Sequence, residues 1–301
     1  MGDELRGDSL VHLNVRFSNE AELKQTLDFL YASSKQGKAF TGLLEAMVSE
    51  VTIVTAIHNI KSNKGAKTHG VDKIKMDKYL QMPKEEVIEI VQRSMKHYRP
   101  KPARRVYIKK SNGKERPLGI PTILDRIIQE CIRIVIEPIC EARFYPSSYG
   151  FRPYRAQKHA VVAIVNIINA SVRSQDQPVW ALDGDIKGCF DNIDHRLLLQ
   201  KLWKIGIHDK RVLKIISQML KAGYIELGIL KDDGKGTPQG GILSPLLSNV
   251  YLNDFDWYVG RQYYNPNPHC KHLCNTRRRL KWSEITPKYN IRYADDCAPR
   301  M

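Results

Sequence analysis

The chain has 301 residues, long enough for two or three domains with cores of their own. It carries 48 Lys and Arg against 32 Asp and Glu, a net charge of +16, with 42% apolar and 27% charged residues. That balance excludes wholesale disorder and favours a polyanionic partner, most simply nucleic acid gripped through its phosphates.

Met1-Gly2-Asp3-Glu4-Leu5 has neither the basic start nor the apolar run of a signal peptide. No apolar stretch approaches the roughly 18 residues of a membrane span, and no concentrated basic amphipathic helix favours a membrane surface. Residues 19–60 are expected to be helical, with Ser18 as cap and a second stretch running unbroken from Leu43 to Ile60. Residues 61–70 (KSNKGAKTHG) read as a basic, Gly-containing loop, and Glu85 to His97 as an amphipathic helix. From 100 to 121 the prolines forbid a helix. Arg105 to Lys109 alternates like a strand, Ser111-Asn112-Gly113 turns, and Arg116 to Ile120 returns. Lys101, Arg104, Arg105, Lys109, Lys110, Lys114 and Arg116 crowd this hairpin against Glu115 alone. Such a run is either a solvated face or a grip for phosphates.

Thr122 is placed to cap a long apolar helix, expected to break at Pro138. Ser148 to Pro153 reads as a loop with a protruding Arg152, and Ala156 to Ala170 as a helix. Val179 to Ile186 has the composition of a buried strand, flanked at its acidic end by Gly184 and Gly188. Helices are expected at His195–Trp203, near Arg211–Ala222, and from about 244 to 258 behind the Gly236-Thr237-Pro238-Gln239-Gly240-Gly241 loop. Residues 261–289 form an irregular basic segment, and Ile291-Arg292-Tyr293 a short strand. The six cysteines (Cys131, Cys140, Cys189, Cys270, Cys274, Cys297) are scattered in a chain too large to need disulfides, which fits reduced thiols in a cytoplasmic protein.

Asp295 and Asp296 follow that last strand on a tight turn, and Asp185 ends the earlier one. Adjacent carboxylates repel and are costly to bury, so packing does not explain them. Divalent cations relieve the repulsion, and paired ions clamp both oxygens of a phosphoryl transfer. The competing reading is an acidic surface turn. Asp183 and Asp191 lie close by, and alternation puts Asp183 on the same face as Asp185, so spacing does not choose between them.

Five ordered motifs narrow the choice. Arg116-Pro117-Leu118-Gly119-Ile120-Pro121, Tyr149-Gly150-Phe151-Arg152-Pro153 and Asp185-Ile186-Lys187-Gly188-Cys189-Phe190-Asp191-Asn192-Ile193 come first. Gly236 through Leu252 and Tyr293-Ala294-Asp295-Asp296 complete the series. Over about two thirds of its length the chain resembles the fingers and palm of a group II intron reverse transcriptase, or maturase. The helical N-terminal part resembles the extension that precedes the fingers in that family.

The resemblance implies an α+β right-hand polymerase. Its small antiparallel palm sheet is backed by helices, with a helical extension at 1–70, fingers at 71–175 and palm at 176–301, including a basic insertion at about 261–289. It implies an RNA-directed DNA polymerase that extends a DNA primer on an RNA template and binds its parent intron RNA to aid splicing and mobility. Asp185, Asp295 and Asp296 would bind two Mg²⁺ ions, with the Ile186 carbonyl as a further ligand. Lys110 and Arg116 would hold the dNTP triphosphate, Phe190 would lie under the sugar and exclude a 2′-hydroxyl, and Gln239 would contact nucleotide or template. Without the resemblance, Phe190 reads as a core aromatic. Lys61, Lys64, Lys67, Arg277, Arg278 and Arg279 are the candidate RNA contacts, with a solvated surface as the alternative. His269, Cys270, His272 and Cys274 do not match the two separated pairs of a structural zinc site and read as a basic loop with free thiols. Partners are thus intron RNA, primer–template and dNTPs, without a membrane, and a homodimer is compatible.

The pattern departs from the family after Asp296, where only Cys297-Ala298-Pro299-Arg300-Met301 follows. The thumb is expected to be absent and the hairpin holding Asp295 and Asp296 incomplete, because Pro299 cannot donate to a ladder. Two rivals follow: an RNA-binding splicing cofactor that has lost polymerisation, and a retron-type reverse transcriptase.

Overall fold

The computed structural model describes residues 9–15, 17–109, 113, 115–173, 183–226, 228–231, 234–237, 240–263 and 289–300. The chain divides into two compact units, Met1–Arg143 with Phe190–Leu247, and Phe144–Cys189 with Ser248–Met301.

In the first unit a short parallel pair, β1 (Leu10–His12) with β2 (Ala39–Thr41), brackets α1 (Glu20–Lys35). The cap of α1 is Asn19 rather than Ser18: the Asn19 side chain accepts from Glu22 N, while Ser18 N donates to the Glu22 carboxylate. The stretch from Leu43 is two helices, α2 (Leu43–Met47) and α3 (Glu50–Lys61). Ser49 divides them, because its hydroxyl caps α3 at Thr52 N and so favours an extended backbone at that point. A 3₁₀ turn (Lys64–Lys67), α4 (Met76–Gln81) and α5 (Lys84–Lys96) follow.

Helix α6 (Ile123–Glu141) is the centre of this unit. Ile127, Ile128, Cys131, Ile132, Val135 and Ile136 are buried, and α1, α2, α3 and α5 all pack against it. Each such side chain contributes about 1.5–3 kcal/mol of burial. Thr122 caps it as expected, but the helix continues through Pro138 for three more residues. Proline there gives up the hydrogen bond to the Ile134 carbonyl, a loss that the deep burial of α6 offsets.

Strands β3 (Ala103–Lys109) and β4 (Glu115–Ile120) form the expected antiparallel hairpin, from Arg104 opposite Ile120 to Lys109 opposite Glu115. Its sheet is larger than the hairpin: β6 (Tyr224–Glu226) joins β3 in parallel and β7 (Ile229–Lys231) closes the order β4-β3-β6-β7. Helices α8 (His195–Lys204) and α9 (Lys210–Leu220) complete the unit.

The second unit holds α7 (Gln157–Arg173), most of α10 (Ser244–Tyr263) and a three-stranded antiparallel sheet in the order β5-β9-β8. Its strands are β5 (Gly184–Asp185), β8 (Tyr289–Tyr293) and β9 (Asp296–Arg300). Asp183, Gly184 and Asp185 are exposed, so the described end of the expected buried strand is a solvent-facing tip. The terminal hairpin is complete: β8 and β9 pair from Tyr293 opposite Asp296 out to Tyr289 opposite Arg300, with Pro299 opposite Asn290. Among the described residues, β5 pairs with Asp296 and Cys297 of β9.

Arg152 does not protrude. It is buried, donates through Nη1 to the carbonyls of Tyr145 and Ser148 at 2.8 and 2.9 Å, and lies over the Phe144 ring. Its sequence neighbourhood of Gly, Phe and Pro marked a loop but did not say that the loop closes around its own arginine.

Candidate active site

Two carboxylates meet across the small sheet. Asp185 on β5 stands in register with Asp296 on β9, and Ile186 N donates to the Asp295 carbonyl at 3.3 Å. The two central residues of the β8–β9 turn are Ala294 and Asp295. A tight hairpin needs left-handed backbone, and Ala294 supplies it at φ +59° despite having a Cβ. That conformation costs about 1–2 kcal/mol for an L-residue, so the surroundings must enforce it.

They do so from both sides. Gly150 packs so closely that a Cβ there would lie 2.1 Å from Ala294 N. Arg292 Nη1 donates to the Ala294 carbonyl at 2.6 Å. The guanidinium of Arg292 is 1% exposed and pairs with Asp256 on α10, itself fully buried, through Nε and Nη2 at 2.7–3.0 Å. Burial pushes the Asp256 carboxyl up from its ordinary range and the Arg292 charge draws it back. The remaining Arg292 donors reach Asn249 Oδ1 at 3.0 Å and Ser148 Oγ at 2.9 Å. Asn249 in turn donates to the Gly150 carbonyl at 2.8 Å.

The acidic tip is electrostatically strained. The Asp296 carboxyl is pushed up by partial desolvation and by the charges of Asp295, Asp185 and Asp183. Buried Cys189 lies beside it, its thiol pushed up chiefly by burial and further by Asp295 and Asp185. Among the described residues, no three His, Cys, Asp or Glu side chains converge into a ready-formed metal cage. The carboxylates instead form an open, oxygen-only set of one register pair and its turn neighbour. Hard divalent cations take such donors, commonly with substrate phosphates completing the shell. The Ile186 carbonyl already accepts from Cys189 N at 3.2 Å, which leaves one lone pair for another partner.

Phe190 belongs to the first unit. It opens a 3₁₀ turn (Phe190–Asn192), is half-buried, and its carbonyl accepts from Thr237 N at 2.8 Å. Gly236 adjoins it, donating to the Ile193 carbonyl at 2.8 Å and accepting from His195 Nε2 at 2.6 Å. The glycine-rich loop is thereby stitched to the segment after Cys189. A Cβ at Gly240 would come within 2.6 Å of the Gly119 carbonyl on β4, so the loop backbone approaches the basic hairpin closely at this glycine. Arg116 lies on β4 opposite Ile108.

The basic loop at 61–70 is clamped by two arginines. Arg126 donates to the carbonyls of Pro121, Gly65 and Thr68, and Arg104 donates to that of His69. Lys61 and Lys67 are exposed on it, and Lys64 lies in its 3₁₀ turn. Lys110, Gln239, Arg277, Arg278, Arg279 and the group His269, Cys270, His272 and Cys274 lie outside the described residues.

The residues that sequence reasoning missed are Arg292, Asp256, Asn249 and Ser148. The available signals were an arginine inside an apolar strand and an aspartate inside an apolar helix, each of which demands a partner when buried.

The three carboxylates and the Arg292 brace lie within one family model. A match to "Reverse transcriptase (RNA-dependent DNA polymerase)" spans residues 108–298. "Protein YkfC" of Escherichia coli (strain K12) is 36% identical over 270 residues, covering 84% of this chain and 68% of that protein. "Group II intron-encoded protein LtrA" of Lactococcus lactis subsp. cremoris is 40% identical over 245 residues, covering 79% of this chain and 39% of that protein. An "Uncharacterized 91 kDa protein in cob intron" of Schizosaccharomyces pombe is 35% identical, covering 78% and 29% respectively. The chain thus spans between about two thirds and less than a third of these relatives' own lengths. It belongs to the reverse transcriptase family, in the group II intron-encoded, maturase-type branch. Among the described residues no helix is long and apolar enough to cross a membrane.

Proposed function

We propose that this chain is the RNA-directed DNA polymerase domain of a group II intron-encoded protein, extending a DNA primer on an RNA template and binding its intron RNA in splicing and mobility. The observation that carries the reading is the register pair of Asp185 and Asp296 beside Asp295, on a sheet within the family match. The net charge of +16 supports polyanionic partners.

Asp185, Asp295 and Asp296 would hold two Mg²⁺ ions. The fit rests on the all-oxygen donor set and on the mutual repulsion that lifts Asp296. Such ions, when bound, supply Lewis-acid activation of the primer hydroxyl and neutralise charge gathering on the phosphates. The chain's own residues do the positioning. Lys110 and Arg116 hold the triphosphate, Phe190 lies under the sugar, and Gln239 meets the nucleotide or template. Lys61, Lys64, Lys67, Arg277, Arg278 and Arg279 meet RNA phosphates. On this reading residues 1–70 are the extension, 71–175 the fingers and 176–301 the palm, in a bacterial cytoplasmic protein that is compatible with a homodimer.

Primer extension on an RNA template tests the reading. Mg²⁺-dependent synthesis by the chain, lost in Asp185→Asn, supports it; synthesis that survives the substitution refutes the metal assignment.

A further inference from the structure

We propose that Arg292 is a positioning residue for the two turn carboxylates, acting through the Ala294 carbonyl, with Asp256 and Asn249 as the groups that orient it. The inference rests on the metal-binding reading above and assigns what gives that site its geometry.

All five guanidinium donors are engaged. Nε meets Asp256, one Nη2 hydrogen meets Asp256 and the other Ser148, and Nη1 divides between Asn249 Oδ1 and the Ala294 carbonyl. Only arginine offers a planar fork able to do this; lysine has three donors around one atom. The Ala294 carbonyl is bonded to the nitrogen of Asp295, so fixing that oxygen fixes the peptide plane from which Asp295 departs. Asp296, one residue further on, is in register with Asp185.

Stability alone does not account for the arrangement. A buried ion pair is often replaceable by apolar residues without loss, because desolvation offsets its attraction. The extra partners share one direction. Arg292 holds the turn at the Ala294 carbonyl, and Asn249 holds Gly150, which presses on Ala294 N. Tyr149 N donates to the Arg292 carbonyl and Arg292 N to that of Ser147, so the 147–150 segment is laid along β8 in the same stroke. The left-handed Ala294 is therefore held at both its nitrogen and its carbonyl. Partners one bond removed from a metal ligand typically change metal affinity by about 10–100-fold.

The test measures Mn²⁺ binding directly, by the loss of the free-ion EPR signal on titration, alongside metal-free thermal unfolding. The proteins are the whole chain and its Arg292→Lys, Asn249→Ala and Asp295→Asn/Asp296→Asn variants. Arg292→Lys keeps a charge for Asp256 but cannot also reach Ala294. Asn249→Ala leaves the ion pair whole and releases the link to Gly150. Each is expected to weaken Mn²⁺ binding about 10-fold or more, by more than any change in the folded fraction explains. Wild-type Mn²⁺ affinity in both folded variants overturns the proposal, as does wild-type affinity in Asn249→Ala should Arg292→Lys fail to fold. If the Asp295→Asn/Asp296→Asn protein binds Mn²⁺ like the wild type, it is the metal reading itself that falls.

Discussion

Asp185 and Asp296 stand opposite each other in the β5–β9 ladder, so residues far apart in the sequence are brought together by one strand pair. The second of those strands is held by Arg292, and the buried partner of Arg292 is Asp256 on α10. The acidic tip is thus tied to α10 through the Arg292 guanidinium, with Asn290 on the same strand also donating to Asp256.

The Asp256→Ala protein should be less stable by about 3–5 kcal/mol, because it strands a buried cation. A double Asp256→Leu/Arg292→Met protein should recover much of that loss yet extend primers poorly. Urea unfolding followed by primer extension checks both. A single variant as stable as the wild type, or a double variant with full extension, would contradict the role given to the pair.

Gly236 adopts φ +86°, and a Cβ there would lie 2.8 Å from the Asp191 carbonyl. Gly236→Ala should therefore cost about 1–3 kcal/mol and loosen the Phe190 turn, whose carbonyl bonds the adjacent Thr237. A thermal melt reads the first effect. An unshifted melting curve would mean that the loop accommodates the methyl group.

Phe190→Ala should raise ribonucleotide incorporation relative to deoxyribonucleotide. Competition between the two nucleotides on one template measures it, and unchanged discrimination removes Phe190 from the sugar site.

Replacing Lys61, Lys64 and Lys67 by Gln should weaken RNA binding. It should also flatten its salt dependence by about 0.7–0.9 in the log–log slope for each phosphate no longer neutralised. The loop they occupy is anchored by Arg126 and Arg104, so its fold should survive the change. An unaltered slope would move the RNA to another surface.

Much of this architecture is legible in local sequence. Thr122 and the apolar run behind it define α6, and alternation with a Ser-Asn-Gly turn defines the β3–β4 hairpin. Three-residue strands such as Tyr224–Glu226 carry too little pattern to announce themselves and depend on the neighbour they pair with. The division at Ser49 turned on capping, which finer reading of local chemistry could have caught, whereas the continuation through Pro138 depends on the packing of α6. The brace around Ala294 is a different matter. Arg292, Asp256, Asn249, Ser148 and Gly150 lie on three separate segments, and only tertiary packing shows that they share one set of hydrogen bonds.

The central claim is that Asp185, Asp295 and Asp296 form a divalent-cation site for polymerisation. The most direct measurement is primer extension by Asp295→Asn/Asp296→Asn across a Mg²⁺ titration, with RNA affinity measured on the same preparation. The expected result is loss of extension at every Mg²⁺ concentration with RNA affinity retained. Extension equal to the wild type would contradict the account.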